Sequence, residues 1–385
     1  MRAFVDAFAA RYDRWLFREF RMETRSLAAY RVLYASLLLL IGLPLGGWID
    51  GTPDLFFSPP VSPAALMTGF PDPRWVTGLN LLVAGALGCL LAGLCTRAAS
   101  VATGAGLILL YSLEYSHGKV SHPILMATVP LFLAASGWGR AWSVDAWLAA
   151  RRAVRAGGVG PATGRDLAAA GGWPVALYAL AVSLGMFTAG WAKLAGGWLR
   201  WDSSATFAHA AQAWHVKGRQ TALGEWLMTG ASPVLLEAMD FAAVALELGF
   251  VLVFVNRRLF RAAVAVAALF HLGVALMFGI QFMANVIAYG AFVAWAAPLA
   301  RRPVLAPGRA AAAVAAVAIA VTAAAAWGVL ADMTHAAQLL GLIGLKKWLI
   351  VLAAAGGGAY LASLAWRAAR ALRPAPAAAV RPAAA

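Results

Sequence analysis

Cysteine is nearly absent from this chain: Cys89 and Cys95 are the two in 385 residues. They lie six positions apart in one apolar stretch, too far from each other on a helix for their sulfurs to bridge. A disulfide framework and a C-x-x-C metal or redox site are thereby excluded. Charge is scarce as well, at 12% against 62% hydrophobic residues, which leaves too little polar surface to wrap a water-soluble globule of this length. A cleavable signal is not expected over residues 1–26, since no short apolar core follows the first charges and no small-residue cleavage site appears. Acidic residues number 16 against 31 basic ones. In a soluble chain the surplus of +15 would suggest nucleic acid, but in one this apolar it fits arginines gathered on one membrane face, and a nucleic-acid partner is rejected.

What the chain does have is apolar stretches of spanning length. A hydrocarbon core of about 30 Å takes about 20 residues of helix, and such stretches fall near 27–47, 76–95, 98–115, 122–138, 173–195, 234–255, 260–279, 281–299, 310–330 and 347–366. They predict an all-α, polytopic integral membrane bundle of about ten transmembrane helices, multi-pass in a cell membrane, with the lipid bilayer as its first partner. With the N-terminus in the cytoplasm, most of the basic residues fall on the inner side, among them Arg11, Arg14, Arg151, Arg152, Arg257, Arg258, Arg301 and Arg302. That asymmetry predicts both ends inside. Residues 1–26, with Phe4, Phe8, Tyr12 and Trp15 recurring between arginines at three- and four-residue steps, predict an amphipathic helix on the cytoplasmic face.

Two connections are long. The inner one, 140–172, is rich in Gly, Ala and Arg and reads as a flexible linker. The outer one, 196–233, carries Trp198, Trp201, Phe207, Trp214 and Trp226, which suits an ordered cap at the interface. The domain organisation expected is a transmembrane domain over 27–300, two further transmembrane helices over 301–373, and a disordered Pro/Ala tail over 374–385.

Polar groups inside apolar helices are costly and therefore informative. The segment from Met186 to Trp198 ends an apolar span with Lys193 and the Gly196-Gly197 pair. Glu114, His117 and His122 flank the outer turn between the third and fourth spans. In the sixth, Glu237, Asp240 and Glu247 share an arc of about 80° on one helix face. His271 falls near the midplane of the seventh, and Gln281 and Asn285 open the eighth. The distribution predicts a polar cavity opening outward, and the depths of Glu247 and His271 predict a buried pair or a water-linked network. Plainer readings stand beside these: Lys193 snorkelling to the interface, His122 solvating a helix end, and His271 with Asn285 bonding between helices. His209 and His215 lack a fixed ligand spacing, and no metal site is expected.

Four stretches in order resemble a known family. Phe187-Thr188-Ala189-Gly190-Trp191-Ala192-Lys193-Leu194 followed by Trp198 is similar to the A-G-x-x-K-L…W segment of the vitamin K-dependent gamma-carboxylase membrane domain and its bacterial relatives, the HTTM (horizontally transferred transmembrane) proteins. Ala29-Tyr30-Arg31-Val32-Leu33-Tyr34 resembles their first-span arginine motif. Ser121-His122-Pro123-Ile124-Leu125 with Trp142-Ser143-Val144-Asp145-Ala146 resembles N-N-H-x-Y-L…W-S-x-D-A. Phe270-His271-Leu272 with Phe278 through Phe282 resembles F-H-L…I-G-x-F. Ser121, Ile124 and the order Gly279-Ile280 depart from those patterns.

The resemblance covers about residues 25–300 and implies a bacterial inner-membrane protein. It also implies an outward site where Lys193 is the base acting on a reduced quinone and His122 assists, with dioxygen and carbon dioxide as further reactants. The family's large lumenal domain, which engages a protein substrate, has no counterpart in the homologous stretch, so a quinone-type or lipid-linked reaction is expected rather than carboxylation of a protein. The alternative is a non-catalytic protein on the same fold that binds a hydrophobic small molecule or peptide, or that assists export or maturation of a partner.

Overall fold

The computed structural model describes residues 2–43, 47–157, 171–296, 307–330 and 344–371. Within them the chain forms helices and no strands. In order these are α1 (Arg2–Arg14), α2 (Thr24–Leu37), α3 (Pro73–Ala92), α4 (Thr96–Glu114), α5 (Pro123–Leu133), α6 (Val144–Arg155) and α7 (Gly172–Ala195). They continue with α8 (Ala205–Ala211), α9 (Ala222–Thr229), α10 (Pro233–Val253), α11 (Arg257–Phe278), α12 (Met283–Tyr289), α13 (Pro307–Leu330) and α14 (Leu345–Ala371). Short polar side chains start many of them by accepting first-turn N–H groups: Asp72 from Arg74, Ser143 from Ala146, Ser204 from Phe207, Thr221 from Gly224, Ser232 from Leu235 and Asn256 from Arg258. Pro73, Pro123 and Pro233 occupy first helical positions, where no N–H is needed.

Among the described residues six helices are both long and apolar enough to cross a bilayer: α2 with the π turn that carries it to Gly42, α3, α7, α11, α13 and α14. This is a helical membrane protein, and the ten expected spans resolve into unequal parts. α4 and α10 have 19 and 21 residues but carry more polar groups. α5 has 11 residues and α12 has seven; at about 1.5 Å per residue neither crosses a core of about 30 Å. Pro130 lies inside α5, and Gly279, in the left-handed region at φ 63°, stops α11 so that the chain stays non-helical as far as Phe282. The linker expected over 140–172 also needs correction, because its first part folds as α6, capped by Ser143 and with Arg151 stacked 4.4 Å over Trp147. Residues 158–170 and the tail from 372 lie outside the described residues.

α2 forms the centre of the bundle, with 67% of its span buried, while α13 and α14 lie at the periphery with 22% and 17%. Around it α3 packs on α4 and α13, α4 on α5, α5 on α7 and α12, α7 on α10, and α11 on α14. Tyr30 and Tyr34 of α2 donate to the carbonyls of Ile287 (2.8 Å) and Met126 (2.9 Å). Arg31, fully buried, donates to the carbonyls of Leu90, Leu91, Trp138 and Trp142, tying the end of α3 to the turn before α6. Asp145 completes that inner knot by accepting from Cys95 N, Thr96 N and Thr96 Oγ1 at the start of α4. The amphipathic N-terminal segment exposes Val5, Phe8, Tyr12 and Phe17. It is anchored where Trp15 Nε1 donates to Phe254 O and Glu19 accepts from Arg257 N.

Candidate functional site

The site begins at a contact between two helices. A Cβ on Gly190 of α7 would lie 2.9 Å from both the Glu247 Cβ and the Leu248 N of α10, so the two backbones touch there as only glycine allows. Three residues further along α7, Lys193 Nζ donates to Glu247 Oε2. The two side chains are 21% and 8% exposed, and the ammonium lies 5.2 Å from the centre of the Trp198 ring. Lys193 is therefore a paired cation rather than a snorkelling one. Glu247 is paired with Lys193 and not with His271, which corrects the direct Glu247–His271 pair expected from their depths.

Asp240, two turns before Glu247 on α10, has a different task. Fully buried, it accepts from Ser204 Oγ (3.1 Å), Ala205 N (2.9 Å), Thr206 N (2.9 Å) and Thr206 Oγ1 (2.7 Å). It pins the start of α8, and with it the cap made of α8, a π turn over Gln212–Val216 and α9. Thr221 Oγ1 ties the cap to α11 through Met277 O at 2.8 Å. His209 of α8 lies 5.2 Å from the Trp198 ring and 6.4 Å from Phe278. Its pKa falls below the ordinary histidine value, first through burial against these rings and then through Lys217 and Lys193. Glu237, on the same face of α10, is half-buried.

His271 belongs to a stack. Its ring lies on Phe282 at 4.8 Å and on Tyr289 at 5.7 Å, and its Nε2 is 3.0 Å from Tyr289 OH, which in turn donates to Met186 Sδ at 3.5 Å. The other nitrogen, Nδ1, and Oδ1 of Asn285 are buried without a hydrogen-bond partner.

On the far side of Phe282 a cavity of about 630 Å³ opens. Its polar lining includes Tyr111, Glu114, His117, Ser121, His122, Gln281 and Lys346, and Lys193 is not part of it. His122 precedes α5, 3.2 Å from Ser121 Oγ through Nδ1 and edge-on to Phe282 at 4.9 Å. His117 is held between Trp48 and Phe70 at 5.2 and 5.9 Å.

The expected residues thus divide into two groups: Glu114, His117 and His122 on the cavity, and Lys193, Glu247, His271 and Asn285 deeper in or beneath the cap, with Phe282 between the two histidines. Tyr289 escaped the sequence reading, although its place one turn after Asn285 puts both on one face. Lys346, at the start of α14, brings that helix into the cavity wall. Among the described residues no group of three His, Cys, Asp or Glu is arranged to hold a metal ion.

Comparison with protein-family models, with curated proteins and with solved structures gives no match for this chain.

Proposed function

We propose that this chain is a membrane-embedded enzyme of the HTTM, carboxylase-like type, in which Lys193 accepts a proton from a quinol or another lipid-soluble substrate at an outward-facing site. The observation that carries the reading is the part-buried contact between the amine of α7 and the carboxylate of α10. A lysine and a glutamate in contact form a neutral pair, which costs less to bury than either charge alone. Glu247 serves as the partner that can take the proton from Lys193 and leave a free amine to accept another. His122, on the wall of the cavity, binds and orients a substrate hydroxyl. A bound quinol supplies that acidic hydroxyl; Asn285, His271 and His122 are the residues placed to hold it. The same proposal places both termini in the cytoplasm of a bacterial inner membrane.

A second reading, a non-catalytic protein that binds a lipid or peptide, is favoured by one feature: Lys193 is already engaged by Glu247 and Trp198 and does not line the cavity. The test pairs Lys193→Met with Glu247→Gln, so that neither charge is left buried alone. The catalytic reading expects quinol-dependent turnover in the purified native chain and its loss in the double variant, with the melting temperature nearly unchanged. Equal turnover in both proteins would hand the site to the second reading, and mass spectrometry of co-purified small molecules would then identify its occupant.

A further inference from the structure

The loop from Trp48 to Asp72 joins two of the helices long and apolar enough to cross a bilayer, α2 with its π turn and α3, which places it at the membrane surface on the cavity side. It is firmly held. Ile49 and Ala64 are buried, and a 3-10 turn over Pro63–Leu66 packs on α4. Phe70 N donates to Asp54 Oδ1 at 2.9 Å and Ser58 N to Ser116 O at 2.6 Å, while the Phe70 ring meets Trp48 at 5.6 Å and Phe57 at 5.0 Å. Yet Leu55, Phe56, Val61 and Leu66 are 89%, 56%, 103% and 91% exposed. A single exposed leucine is ordinary, but four large apolar side chains on one ordered loop call for a cover.

Three features say what the cover is. From Gly47 to Pro73 the sequence has no lysine or arginine, and two of its three aspartates, Asp54 and Asp72, are turned to the backbone N–H groups of Phe70 and Arg74. A protein partner would be met by a polar rim; lipid needs none. The backbone is prepared for a medium of low polarity as well, because Pro53, Pro59, Pro60, Pro63 and Pro71 have no N–H to satisfy and those of Phe56, Phe57, Ser58, Met67 and Phe70 are bonded within the protein. Trp48 and Trp75, both exposed, flank the loop as aromatics do at a membrane interface.

We infer that this loop dips its apolar side chains, Leu55, Phe56, Val61 and Leu66, into the lipid leaflet on the cavity side. Trp48 and His117, whose rings lie 5.2 Å apart, both line the cavity, so one wall of the cavity stands beside the immersed loop. The inference goes beyond the proposed chemistry: it does not need Lys193 to act as a base, and it holds for either orientation of the chain in the membrane.

The experiment is spin-label accessibility in the full chain, with Cys89 and Cys95 replaced by alanine and one chain in each phosphatidylcholine nanodisc. Nitroxides are attached singly to Leu55→Cys, Val61→Cys and Leu66→Cys. Leu82→Cys, exposed in the middle of α3, is the lipid reference and Lys217→Cys, exposed on the cap, the water reference. Dioxygen concentrates in hydrocarbon and a neutral nickel complex in water, so the oxygen-to-nickel accessibility ratio at the loop positions should lie several-fold above that at 217 and toward that at 82. At least two of the three must behave so, which keeps the test decisive if one variant fails to fold. Ratios equal to that at 217 overturn the inference and leave the patch to a protein partner. Low access to both reagents also overturns it, since the chain would then cover the patch itself. Loss of the catalytic reading in the Lys193 test leaves these ratios unchanged, so the two proposals fail separately.

Discussion

Asp240 and Glu247 illustrate how little a side chain's identity says about its task. Both are carboxylates on one face of α10, yet Asp240 satisfies four donors at the start of the cap while Glu247 neutralises one ammonium. Replacing Asp240 by Asn keeps the shape but turns one acceptor into a donor facing backbone N–H groups. The expected cost is about 1–3 kcal/mol, read as faster hydrogen exchange across Ala205–Ala211 with the exchange of α7 unchanged. His209 makes a second prediction at this scale. Because the folded cap disfavours its protonation through burial, Lys217 and Lys193, with Asp240 opposing and Lys119 adding to the effect, the unfolded cap binds protons more tightly than the folded one. The cap should be fully stable above the ordinary histidine value of about 6.5 and loosen as pH falls below it. His209→Phe keeps the ring contacts and should remove that dependence; an unchanged pH profile of cap exchange in this variant would assign the effect elsewhere.

At the scale of elements, the site is made by a crossing. Gly190 lets α7 and α10 approach until the Lys193 and Glu247 side chains meet, and a methyl there would collide with backbone as well as with Glu247. Gly190→Ala should therefore separate the helices and cost about 1–3 kcal/mol, although alanine is the better helix former. Gly249, one turn before the end of α10 with nothing near its absent Cβ, is the control: Gly249→Ala should be neutral or stabilising by up to about 1 kcal/mol. Thermal unfolding of both variants in one lipid mixture checks the pair, and a Gly190→Ala protein as stable as the Gly249→Ala protein would show that the contact does not matter. The short helices α5 and α12 meet in the same region. Their lengths leave room for the cavity and for the non-helical run that carries Phe282.

At the scale of the molecule, the cap, the cavity and the Lys193–Glu247 pair gather toward one end of the bundle, and the Arg31–Asp145 knot with α1 and α6 toward the other. The proposed topology places the first end outside. With Cys89 and Cys95 replaced by alanine, a cysteine at Arg155 should resist an impermeant thiol reagent in intact cells and one at Lys217 should react. The reverse pattern would invert the protein and place the cap in the cytoplasm. The motifs that suggested a family are distributed over both ends: Arg31, Trp142 and Asp145 build the knot around the start of α4, His122 and His271 meet the Phe282 ring, and Lys193 pairs with Glu247.

Composition alone was enough for the class, because too few charged residues and apolar runs of bilayer length leave a chain no stable form except helices in lipid. Tryptophan content marked the 196–233 cap, and helical spacing placed Glu237, Asp240 and Glu247 on one face. Periodicity, however, orders residues around a single helix and carries no information about which face of another helix it meets. The partners of Glu247, His271 and Asp240 were settled by packing: by the missing side chain at Gly190, by Tyr289 one turn beyond Asn285, and by the backbone at the start of α8. Nor does an apolar run report whether its helix is continuous. The left-handed Gly279 belongs to a stretch as hydrophobic as the candidate spans, and there the folded chain ends α11 beside the cavity that Gln281 and Met283 line.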